Sequence, residues 1–74
     1  MTLKREIIDA VDTGAGIESI VKDVLNWTNE YTEEQIIEEV NRMVEIGVME
    51  NRGPYLVFMW RNEYAKCYVY GVDK

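Results

Sequence analysis

Residues 31–47 constrain this chain most, because a helix can be read there from start to stop. Thr32 stands at an N-cap position, and Gln35 completes a Thr-x-x-Gln capping box in which each side chain accepts a hydrogen bond from a backbone N–H of the first turn. Tyr31 and Ile36 are placed to pack as a hydrophobic staple across that start. Glu33 and Glu34 fall in the first turn, where the helix dipole favours negative charge. Ile36, Ile37, Val40, Met43 and Val44 then recur at helical spacing, and Gly47 supplies a left-handed stop. The pattern predicts a helix over residues 32–46 whose apolar face needs two or more partners.

The flanking segments supply them. Leu3, Ile7, Ile8 and Val11 form one stripe of a helix over residues 2–11, and Gly14-Ala15-Gly16 breaks it, since paired glycines favour a turn. Ile17, Ile20, Val21, Val24 and Leu25 repeat the periodicity over residues 17–27. Two helices joined by the short polar turn at residues 26–30 must cross at a substantial angle, the geometry of a helix-turn-helix. After Gly47 the period changes. Strands are predicted over residues 48–52 and 55–60, with Gly53-Pro54 as the turn between them, and a third over residues 65–72. In the middle strand Leu56, Phe58 and Trp60 share one face and Val57 and Met59 the other, so one face meets the helices and the other seeks cover. The fold class is α+β: three helices followed by a two- or three-stranded antiparallel sheet, in one domain over residues 1–74.

A domain this small has a marginal core unless it is very regular or shared with a second copy. Its 47% hydrophobic content suits a globular chain. No apolar run approaches the ~20 residues that cross a bilayer, so a cytoplasmic protein with no membrane partner is expected. Cys67 is the single cysteine, read as a small buried hydrophobe in an alternating strand, and with no histidine neither a metal site nor an activated thiol is expected. Gly14-Ala15-Gly16 lacks the further glycine and preceding strand of a nucleotide fingerprint. Adjacent carboxylates such as Glu38 and Glu39 point in different directions on a helix, which does not assemble a general acid. The sequence supports no enzyme and no cofactor.

The third helix closes in Glu-Ile-Gly-Val-Met-Glu-Asn-Arg-Gly, residues 45–53, and runs from there into a hairpin. With the order of elements, that phrase resembles the winged helix-turn-helix superfamily, in small prokaryotic, phage and archaeal-virus regulators. The resemblance covers roughly residues 2–60. It implies that residues 32–46 take the recognition-helix position and that the turn at residues 52–55 or 61–64 is the wing.

Charge divides the chain of net −6 unevenly. Residues 1–50 hold twelve acids against four bases, a net of −8, while residues 51–74 hold four bases against two acids, a net of +2. The outward face of the third helix carries Gln35, Glu38, Glu39, Arg42 and Glu45, with Glu34 and Asn41 at its margins. Phosphates repel such a face, since affinity for DNA comes largely from cations that release counterions. The C-terminal third carries six of the eight aromatics beside Arg52, Arg61 and Lys66, a composition suited to phosphate contact and base stacking.

Two functions follow. In the first, a transcriptional regulator contacts double-stranded DNA through Arg52, Tyr55, Arg61, Tyr64 and Lys66, with Gln35, Asn41 and Arg42 reading base edges. A homodimer fits this reading, its last strand pairing with another copy and its half-sites paired on the duplex. In the second, Glu34, Glu38, Glu39 and Glu45, with Tyr68 and Tyr70, bind a basic protein surface instead.

Overall fold

The computed structural model describes residues 2–70. Helix α1 spans Leu3–Val11, with the Thr2 hydroxyl accepting from the Arg5 amide at 3.3 Å and Ile7, Ile8, Ala10 and Val11 turned inward. Asp12, at φ +51°, and Gly14, at φ +146°, then reverse the chain. The tight turn closes through the Gly14 amide on the Val11 carbonyl at 2.7 Å.

Helix α2 (Ile17–Trp27) and helix α3 (Glu33–Glu45) follow. Both bonds of the α3 capping box are made: the Gln35 amide donates to Thr32 Oγ1 at 3.2 Å and the Thr32 amide to Gln35 Oε1 at 2.9 Å. At the other end Gly47 lies at φ +90°. There the Val48 amide donates to the Met43 carbonyl at 3.0 Å and the Gly47 amide to Val44 at 3.2 Å, a complete Schellman stop. Met43 and Val48 are both buried, supplying the apolar contact that accompanies such a stop.

Strands β1 (Met49–Asn51) and β2 (Leu56–Phe58) pair antiparallel, Met49 opposite Phe58 and Asn51 opposite Leu56. Gly53 at φ +96° makes the turn, held by Asn51 Oδ1 accepting from the Gly53 amide at 2.9 Å. Beyond the hairpin, Ala15 exchanges two hydrogen bonds with Leu56, at 3.1 and 2.8 Å, and so adds one residue of strand beside β2.

The alternation of residues 65–72 favours a third strand, yet Glu63–Tyr70 form helix α4. The reason is local: Asn62 Oδ1 accepts from the Tyr64 amide at 2.9 Å and the Ala65 amide at 3.3 Å, an N-cap with Glu63 in the first turn behind it. Ala65 and Val69 then bury one face at i, i+4, with Tyr68 beside them. Residues 71–72 of the predicted strand lie outside the described residues. Cys67, read as a buried strand residue, is exposed on this helix.

The core gathers Ile7 and Val11 of α1, Ile20 and Val24 of α2, Ile36, Val40 and Met43 of α3, then Val48, Met49, Leu56 and Phe58. Removing each such side chain from water stabilises the fold by about 1.5–3 kcal/mol. Helix α1 touches α2, α3, β2 and α4, and so forms the centre of the packing. Among the described residues no helix is long and apolar enough to cross a membrane.

Candidate functional site

Half of the predicted site residues lie on α3, and their surroundings separate them. Glu34, Glu38 and Glu45 are exposed. Gln35 is exposed too, but its side-chain oxygen is engaged by the Thr32 amide in the cap. The Arg42 guanidinium stands 3.8 Å from Glu39, so its charge is shared with an acid of its own helix.

Glu39 differs from the other acids. Its side chain is only 16% exposed and accepts a hydrogen bond from the Tyr68 hydroxyl of α4. The Lys4 ammonium of α1 sits 4.3 Å from the centre of the Tyr68 ring. Burial, reinforced by the Glu39 carboxylate, pushes the Tyr68 hydroxyl above its ordinary value and keeps it a donor. Glu39 and Tyr68 thus tie three helices together from within. The Tyr70 side chain lies outside the described residues.

The basic, aromatic C-terminal third divides as well. Arg52, in the hairpin turn, has its Nε 2.9 Å from Glu50 Oε1, and the hydrogen bond it donates to Glu50, with a second donated to Tyr55, raises its guanidinium above the usual arginine value. Tyr55, 39% exposed, lays its ring over Gly14 so closely that a Cβ there would come within 2.9 Å of it. Arg61 shares with Arg52 the lining of an open cleft of about 490 Å³ that also includes Phe58 and Trp60. The Phe58 and Trp60 rings meet edge to face at 4.6 Å, and Trp60 is 45% exposed. Residues 61–64, one of the two turns suggested as a wing, lead instead into α4. Lys66 lies on that helix, 3.5 Å from Glu63, with Tyr64 exposed beside it.

A second surface contains only Asn41 and Glu45 of the predicted site residues. On the flank of α3, Ile37, Asn41, Val44 and Glu45 face Pro54 and Asn51 of the hairpin across a cleft of about 720 Å³. Asn41, a candidate base reader, is exposed at this cleft and not on the most acidic part of the helix. Ile37 and Val44 are half-buried and pack against the core from its edge. The signal for them was present in the sequence: at 100° per residue, Ile36 and Ile37 already span an arc as wide as an ordinary core-facing stripe.

Compared with models of protein families, with curated proteins and with solved structures, the chain matches none.

Proposed function

We propose that this chain is a protein-interaction module on the winged-helix plan, using the acidic face of α3 to bind a basic protein surface. The order of helices and hairpin supports the plan, and so does Ala15, which adds a strand residue between α1 and α2.

One observation carries the functional reading: Glu34, Glu38 and Glu45 are exposed on α3 while its basic residue, Arg42, is shared with Glu39. A helix with this face meets phosphates with like charge, whereas opposite charge on a protein partner speeds encounter and fixes register. Selection from a random peptide library tests the reading. It should enrich lysine- and arginine-rich sequences that bind the wild type and are lost by a Glu34→Gln/Glu38→Gln variant. Enrichment without basic residues, or equal binding by the variant, refutes it.

The pairing of Arg52 and Arg61 on one cleft beside the exposed ring of Trp60 favours a second reading. In it the hairpin contacts double-stranded DNA, with the protein acting as a regulator and homodimer. Gel shift with a mixed-sequence duplex at about 50 mM salt should then show binding that Arg52→Ala/Arg61→Ala abolishes, because phosphate contacts are strongest at low ionic strength. A duplex left unshifted by the wild type removes this reading.

A further inference from the structure

Deepening the protein-binding reading, on which this rests, we infer that the partner is an amphipathic helix with lysine or arginine beside its apolar stripe. Its seat is the trough between α3, α2 and the hairpin. The 720 Å³ cleft beside the hairpin adjoins a second, of about 330 Å³, between α2 and α3, and Ile17 and Ile37 line both. The continuous floor holds Ile17, Val21, Ile37 and Val44, with Leu25 of α2, 41% exposed, at one end.

The dimensions select a helix. The trough follows α3 from Glu33 to Glu45, a length of about 18 Å at ~1.5 Å per residue, which three to four turns of a partner helix match. Helices laid in apolar grooves bind through residues at i, i+3, i+4 and i+7, and a floor built from helical stripes presents hollows at that spacing.

The charges select its flanks. Glu33 and Glu45 edge the α3 side and Glu18 the α2 side, against Lys22. An occupant with neutral or acidic flanks would cover these carboxylates without compensation, which is unfavourable. Lysine or arginine in the same places completes ion pairs at the rim. A second copy of this chain fits less well, since α2 and α3 are themselves edged by glutamate.

Amide chemical-shift titration of the full chain tests the inference with synthetic peptides of about 18 residues, long enough for a stable amphipathic face. One places leucine and lysine at helical spacing, one scrambles that composition, and one replaces lysine by glutamate. The patterned leucine–lysine peptide should shift the amides of Ile17, Val21, Ile37 and Val44 and bind at least about tenfold more tightly than either control. Leu25→Lys, at an exposed position that leaves the core intact, should weaken it at least about fivefold.

Equal binding by the scrambled peptide, with shifts confined to Glu34 and Glu38, overturns the trough while leaving the acidic-face reading intact. No shift with either lysine peptide overturns both. Trough shifts that grow with protein concentration alone assign the surface to a second copy, and trough shifts with a DNA duplex assign it to nucleic acid; either result overturns the inference.

Discussion

Tyr68→Phe deletes one oxygen and keeps the ring that packs on Lys4, so it isolates the bond from α4 to Glu39 of α3. A hydrogen bond to a charged acceptor contributes about 1.5–3 kcal/mol, and because Glu39 retains 16% exposure and Arg42 at 3.8 Å, the lower part of that range applies. A loss of about 1.5–2 kcal/mol corresponds to a fall in Tm of roughly 6–16 °C for a domain of this size. Tyr64→Phe, at a ring 58% exposed, is the control and should melt with the wild type.

The burial of the Tyr68 hydroxyl, with its bond to Glu39, predicts an alkaline signature. The folded Tyr68 hydroxyl holds its proton above the ordinary value of ~10, so the unfolded chain releases that proton first. Its stabilisation is therefore complete below about pH 10 and is lost as the pH rises from there toward the folded value. Thermal melts followed by far-UV circular dichroism across that range should show wild-type stability falling with a steeper slope than Tyr68→Phe. A double-mutant cycle with Glu39→Gln should return a coupling of about 1 kcal/mol, as for groups in direct contact. Equal Tm values at neutral pH together with parallel alkaline slopes would refute the bond and the placement of α4 against α3.

Three further outcomes are expected. Gly14→Ala combines a φ of +146°, unfavourable for a side chain by about 1–3 kcal/mol, with a methyl placed 2.9 Å from the Tyr55 ring, so its urea midpoint should fall; an unchanged midpoint refutes the close approach. Thr32→Ala removes half of the α3 capping box and should destabilise by about 1 kcal/mol in urea titration, an effect that an N-cap without its hydroxyl bond would not produce. Asn62→Ala should quicken amide hydrogen exchange in α4 while leaving α3 protected, and equal exchange in both proteins would argue against the cap.

Residues differ in how openly the sequence declares them. The start and stop of α3 depend on chemistry confined to a few neighbours, Thr32 with Gln35 at one end and Gly47 with Val44 at the other, and both were legible. The hairpin turn was legible for the same reason, because Asn51, Gly53 and Pro54 act locally. Helix α4 was not, since Ala65, Cys67 and Val69 satisfy a two-residue period while Ala65, Tyr68 and Val69 satisfy a helical one. Asn62 followed by Glu63 decides between the two by capping the helix. The inward role of Tyr68 depends on Glu39, far away in sequence, and no local pattern announces such a pair. Ile37 and Val44 were assigned to the core by periodicity, which shows that a residue is apolar-facing without showing that the domain has enough partners to cover it.

The two bonds between Ala15 and Leu56 make the connection from α1 to α2 a fixed margin of the hairpin. Pro54 reinforces this, its carbonyl lying within 3.3 Å of where a Cβ on Gly16 would stand. A ligand pressing the hairpin outward must therefore drag the beginning of α2 with it. In the proposed binding mode the hairpin and the start of α2 form one fixed wall facing α3, so complementarity has to be brought by the guest, with little entropy left for the host to lose on capture.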